Sequence, residues 1–221
     1  YEKAEFWNEV FDQIPNIQQM YFAGGEPLMI KEHHRFLEEI IRRGYNKQIT
    51  LRYNSNGIFV DDKIIDLWSK FKKVKYAFSL DAAMEKNYYI RYPAEWKTIV
   101  QNLHKLDNTP DHIHVGIACA VQALNIYYLP DFIQWKLEQG FKKINMWPFG
   151  AGMINYHFVY HPPHLNVKVL PNWFKEMTHA KFDTFIKWLE ENWELYEEVE
   201  SEKQFAQLLE HYKPDYAIDF I

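Results

Sequence analysis

Cysteine is almost absent: Cys119 is the one thiol in 221 residues. That excludes an internal disulfide. A lone thiol also cannot by itself ligate an iron–sulfur cluster or a structural zinc ion. The scarcity of thiols fits a reducing, cytoplasmic setting. No stretch approaches the ~20 consecutive apolar residues of a membrane span, and no secretory signal opens the chain. No run of six like charges occurs, so charged tails are excluded. The net charge of −5 argues against nonspecific nucleic-acid binding, which needs a basic surface. The chain begins at Tyr1 and enters an amphipathic helix almost at once, so it is expected to be a fragment or a processed form.

What is present is apolar and aromatic. Aromatic residues make up 18% of the chain, which predicts a ring-rich core or cleft. The first two-thirds repeats one unit, a short apolar run followed by an amphipathic helix. The runs begin near Ile17, Gln48, Val74, His112 and Lys143, 26 to 38 residues apart, the size of a βαβ unit. Predicted strands are Ile17–Phe22, Gln48–Tyr53, Val74–Leu80, Ile113–Val121 and Lys143–Trp147. Predicted helices carry Phe36, Leu37, Ile40 and Ile41 (ending at Gly44), Ile64, Ile65, Trp68 and Phe71 (capped by Asp61), Trp96 to Leu106, and Phe132 to Leu137. Another helix, with Phe6, Trp7, Val10 and Phe11, precedes the first strand.

Alternation of this kind predicts an α/β fold with a parallel sheet and right-handed crossovers. Five strands plus one before the first helix make a partial (β/α)6-type barrel missing its first strand, over residues 1–149. A closed eight-stranded barrel needs about 250 residues and continued alternation. Over 150–221 the texture changes. Ile154–Tyr160 and Leu165–Val169 alternate around a His161-Pro162-Pro163-His164 turn and predict a β-hairpin. C-terminal helices are predicted from about Asn172 to Glu200 and from Lys203 to Tyr212.

Ligands of parallel α/β proteins sit at the carboxyl ends of the strands. There the chain places Gly24-Gly25-Glu26-Pro27, whose glycines let backbone approach a ligand. Next come Asn54-Ser55-Asn56-Gly57, and then Ser79 and Asp81, two apart and suited to vicinal hydroxyls. Asp81 is equally suited to capping a turn. Arg91 follows, then Gln122 and Asn125, then Met146, Trp147 and Pro148, an apolar edge able to stack on a base.

Gly-Gly-Glu-Pro after the first strand, Asn-Ser-Asn-Gly after the second, and Ser-Leu-Asp before a helix bearing Ile90-Arg91 resemble the radical S-adenosylmethionine superfamily. Within it the chain looks like the branch whose barrel carries a hairpin-plus-helix "twitch" appendage. The resemblance covers roughly residues 17 to 170. It implies that Gly24, Gly25, Glu26 and Pro27 form the loop holding the methionine amino group of S-adenosylmethionine (AdoMet). It implies that Ser79 and Asp81 reach the ribose, Asn54 or Arg91 the carboxylate, and Asn125 the cofactor or substrate. Met146, Trp147 and Pro148 would border the adenine. It further implies a [4Fe–4S] cluster whose electron cleaves AdoMet to a 5′-deoxyadenosyl radical that abstracts hydrogen. The implied partners are a peptide or small-molecule substrate and an electron donor such as flavodoxin or ferredoxin.

The family's three-cysteine loop has no counterpart in these residues and is expected upstream of Tyr1. This polypeptide alone is therefore expected to be inactive. Cys119, among Ile117, Ala118 and Ala120, reads as a small buried apolar residue. His157, His161 and His164 straddle a proline turn without a carboxylate, so they are not read as metal ligands. Two alternatives stand: a degenerate binding or interaction domain that keeps the pocket, and another parallel α/β barrel enzyme.

Overall fold

The computed structural model describes residues 4–144 and 155–192. Five strands, β1 (Gln19–Phe22), β2 (Thr50–Ser55), β3 (Lys73–Ser79), β4 (Ile113–Val121) and β5 (Asn155–Phe158), form one sheet in sequential order. Every pairing is parallel. The sheet is a curled half-barrel, as the strand–helix alternation predicts. The helices are α1 (Ala4–Gln13), α2 (Lys31–Arg42), α3 (Asp62–Ser69), α4 (Met84–Ile90), α5 (Trp96–Asp107), α6 (Leu129–Glu138) and α7 (Asn172–Glu191). Among the described residues no helix is long and apolar enough to cross a membrane.

Strand alternation separates two faces. Leu51, Tyr53, Val74, Tyr76, Ile113 and Val115 are buried in one core. There Tyr53 stacks on Phe22 (ring centroids 5.0 Å apart) and tilts against Trp68 of α3, also at 5.0 Å. This is the helix-covered side, and the alternate residues line the concave side. Helix ends follow ordinary chemistry. The Asp61 carboxylate accepts from Ile64 N at 2.7 Å as the α3 cap, and Gly44 takes φ +81° just beyond α2.

Among the described residues, the fifth parallel strand lies later in the chain than the one the sequence predicts. Lys143 and Ile144 are not in a strand, and 145–147 lie outside the described residues. The Asp107 carboxylate accepts from Lys142 N and Lys143 N at 2.9 and 2.8 Å, which holds this segment in a turn. Asn155–Phe158, predicted as half of a hairpin, instead pairs in parallel with Ala118–Val121. Its expected hairpin partner, Leu165–Val169, falls in two short 3-10 turns, Pro163–Leu165 and Val167–Val169. Pro163 opens the first, and the Asn166 side chain accepts from Lys168 N at 2.9 Å in the second. Leu165 O meanwhile accepts from Ala123 N at 2.8 Å, tying the segment to the loop after β4. Of the helix predicted from 172 to 200, α7 is described to Glu191. The remainder, and the helix predicted at 203–212, lie outside the described residues.

Candidate functional site

Parallel pairing brings the carboxyl ends of β1 to β4 to one edge, and two carboxylates pin the loops there. After β1 the chain turns through Gly24 (φ +89°) and Gly25 (φ +57°), conformations open to glycine and costly for other residues. Both glycines are exposed. A Cβ at either would meet nothing within 4 Å, so the space in front of this backbone is open. Among the described residues their peptide groups have no hydrogen-bond partner.

Glu26 does not point into that space. Its carboxylate accepts from Leu28 N (3.2 Å), Ser55 Oγ (2.8 Å) and Asn56 N (2.8 Å). It therefore caps the 3-10 turn that starts at the buried Pro27 and clamps the β1 loop to the end of β2. Ser55 Oγ in turn accepts from Gly57 N at 3.1 Å, and Asn56 Oδ1 accepts from Ile58 N at 3.0 Å, which sets the turn after β2. Asn54, on the opposite side of β2 from Ser55, is exposed.

The second clamp joins β3 to β4. Asp81 is 3% exposed, and its Oδ1 accepts from Ala120 N at 2.8 Å. Its Oδ2 lies 2.7 Å from Arg91 Nε, a charge pair whose N–H is not aligned on the oxygen. Arg91 closes α4 as its C-cap. Asn125 is fully buried. It donates from Nδ2 to Asp81 O (2.8 Å) and Ala120 O (2.9 Å), and its Oδ1 accepts from Gln122 N (2.7 Å). Ser79, the last residue of β3, remains half-buried on the concave side. Cys119 is buried behind this clamp, donating weakly to Asp81 O at 3.8 Å. Burial, and secondarily the Asp81 charge, push its thiol pKa up.

The edge therefore brings together the Gly24–Pro27 loop, Asn54, Ser79, Asp81, Arg91 and Asn125. Only the glycine backbone, Asn54 and Ser79 are turned toward open space, with Arg91 partly exposed. Met146, Trp147 and Pro148 lie outside the described residues. Sequence reasoning missed Ser55 and Asn56 as the partners of Glu26. Their signal was the turn-forming Asn-Ser-Asn-Gly string itself. It also passed over the basic residues of the concave face, Arg52, Lys73, Lys75 and His114, which alternate with the apolar ones.

A unit with AdoMet's chemistry fits this edge at the glycine loop. Unpaired peptide groups face open space there, and neutral hydrogen-bonding side chains stand at the next two strand ends. An iron–sulfur cluster does not fit the described residues. They contain no group of three metal-ligating side chains, and their one cysteine is a buried, neutral thiol.

No family model matches the chain, and no curated protein matches it. Solved structures do. anSMEcpe with bound AdoMet and Kp18Cys peptide has a TM-score of 0.59 at 16% identity, covering 86% of this chain and 54% of that one. With AdoMet and Cp18Cys peptide the TM-score is 0.58 at 15% identity, covering 86% and 54%. Histidine-tagged anSMEcpe with bound AdoMet gives 0.55 at 15% identity, covering 86% and 53%. anSMEcpe is a radical AdoMet enzyme. At these identities the shared property is the fold, and the chain spans about half the length of these structures.

Proposed function

We propose that this chain is the greater part of the barrel of a radical AdoMet enzyme and binds AdoMet along the carboxyl edge of β1 to β3. One observation carries the reading: an open, hydrogen-bond-starved Gly24–Gly25 backbone, clamped by Glu26 beside Asn54 and Ser79, on the fold that anSMEcpe shares. In this assignment the peptide groups of Gly24 and Gly25 take the methionine end. The Asn54 amide and Ser79 hydroxyl take the carboxylate and ribose. Met146, Trp147 and Pro148 border the adenine. Glu26, Asp81, Arg91 and Asn125 serve by position, holding the loops that carry those groups.

AdoMet bound beside a reduced [4Fe–4S] cluster would supply the group that abstracts hydrogen from substrate, and the described residues hold no ligand set for that cluster. The one cysteine of the chain does not supply three cluster thiolates, and the reading carries with it a twitch-type protein of the cytoplasm served by flavodoxin or ferredoxin. The substrate is a peptide or small molecule.

The test is calorimetric titration of the chain with AdoMet. Binding is expected to be weak but saturable without the cluster. Ser79→Ala should weaken it about 3- to 10-fold, the worth of one hydrogen bond. Gly25→Val, which forces a branched side chain to φ +57° in front of the ligand, should weaken it more. Unchanged affinity in both variants would remove the assignment.

A further inference from the structure

The apolar side chains that the protein leaves in water are not spread evenly. Every large one exposed among the described residues lies in β1, in α4, or between a strand's carboxyl end and the second turn of the next helix. None lies in the connections at the amino ends. Single exposed apolar residues need no explanation, but a gathering at one end marks a contact surface. The two most exposed, Tyr89 and Tyr92 at 75% and 73%, follow β3 together with Met84 at 55%.

A cavity of about 530 Å³ opens beside them, between the first turn of α4 and the start of α6. Tyr128, Asp131 and Trp135 are three and four residues apart and share one face of α6. Helix α4 has only seven residues and leaves that face uncovered. Trp135 forms a fixed floor. It is 9% exposed, meets Trp96 edge-on at 4.7 Å between ring centroids, and lies nearly parallel to Phe132 at 6.1 Å. Tyr128 forms a wall, its backbone N donating to Asn125 O at 2.8 Å. Met84 stands at the rim with φ +54°, the one residue besides glycine in the left-handed region among those described. That conformation is costly for a residue with a side chain, and here it presents a thioether, a group that packs well on rings. Lys86 reaches across the mouth, with Nζ 5.0 Å from the Tyr128 ring centroid and no carboxylate partner among the described residues. A single exposed contact of this kind is a weak hold. Asp131 is paired with Lys181, and Glu85 balances Lys86, so the lining carries no net charge. It suits an uncharged ring. Tyr89 follows Glu85 at helical spacing, and Tyr92 stands just past the helix end, so apolar surface continues beyond the cavity. A small molecule seated in the cavity leaves that surface bare, whereas a polypeptide covers it.

We propose that this cavity is the anchor pocket of a docking surface for a partner polypeptide. An uncharged aromatic side chain of the partner fills it, against Met84, Tyr128 and Trp135, and flanking apolar residues lie on Tyr89 and Tyr92. Rings and thioethers of this kind dominate protein contacts. No residue of the pocket is assigned to AdoMet, so the docking surface does not rest on the cofactor reading.

The experiment uses the full chain without AdoMet, labelled with carbon-13 at the methionine methyls. The probe is an end-blocked five-residue peptide with tryptophan between two leucines. The comparison ligands are the same peptide with glycine for tryptophan, and N-acetyltryptophanamide. The tryptophan peptide is expected to shift the Met84 methyl saturably and to leave that of Met29, exposed after β1, in place. It should bind about tenfold tighter than N-acetyltryptophanamide, and the glycine peptide should not bind. In polarisation of the dye-labelled tryptophan peptide, Tyr128→Ala should weaken binding about tenfold. Met84→Gly should do the same while keeping the fold, because glycine adopts φ +54° without strain. No Met84 shift, an equal shift at Met29, or unchanged affinity in Met84→Gly overturns the docking surface. So does a glycine peptide that binds as well as the tryptophan peptide. N-acetyltryptophanamide binding as tightly as the peptide overturns it too, because the cavity then takes a small molecule alone.

Discussion

Glu26 and Asp81 are carboxylates whose acceptor capacity is largely spent inside the protein, on donors 30 and 39 residues away in sequence. They shape the edge, on which the glycine backbone, Asn54 and Ser79 remain turned toward open space. His33, on the buried face of α2, is a comparable case. It is 4% exposed, and its Nε2 lies 3.0 Å from the Tyr53 hydroxyl. Burial, and then the neighbouring His34, lower its pKa from 6.5 to about 4. The native state therefore holds this ring neutral where the unfolded chain would protonate it. Its contribution to stability is whole above pH 6.5. It is lost progressively as pH falls from 6.5 toward 4, by about 3 kcal/mol in all. NMR titration of the His33 ring should give a midpoint near 4, and a midpoint at the ordinary histidine value would contradict this placement.

At the scale of elements, the turn after β2 is bound to β3 by close packing. Gly57 has φ +78°, and a Cβ there would overlap the ring of Phe78, itself fully buried. Gly57→Ala should cost roughly 2–4 kcal/mol, from overpacking and left-handed strain together. Urea unfolding measures it, and a cost below ~1 kcal/mol would show that Phe78 has room to move. This turn also shows what sequence can and cannot convey. Asn-Ser-Asn-Gly announces a turn, yet the ring it packs against is known only once β2 and β3 are paired. Strand β4 has the bounds its apolar run predicts, and β1 to β3 shift by one or two residues. Of the strand expected at Lys143–Trp147, residues 143 and 144 lie in no strand and 145–147 are outside the described residues, while Asn155–Phe158 pairs with β4. Asn155–Phe158 is a short edge strand whose alternation imitates a hairpin, and Asp107 holds residues 142 and 143 in a turn. The glycine loop is legible in sequence because few residues other than glycine tolerate its φ angles. The roles of Glu26, Asp81 and Asn125 are not, because they depend on distant partners. The basic residues of the concave face are equally hidden, because Arg52, Lys75 and His114 lie in three strands and become neighbours only through register.

At the scale of the molecule, a half-barrel of five parallel strands presents two levels on one concave face. Its carboxyl edge carries an open glycine loop with amide and hydroxyl groups, and the level below carries the basic side chains Arg52, Lys75 and His114. In the proposed assignment AdoMet occupies the upper level. Hydrogen exchange of backbone amides with and without saturating AdoMet tests it most directly, because it locates the ligand on the chain without any substitution. Slowed exchange is expected at Gly24, Gly25 and Glu26, at Asn54 to Gly57, and at Ser79 and Leu80, with the opposite ends of the strands unaffected. Protection confined to other segments, or none at saturation, would contradict it.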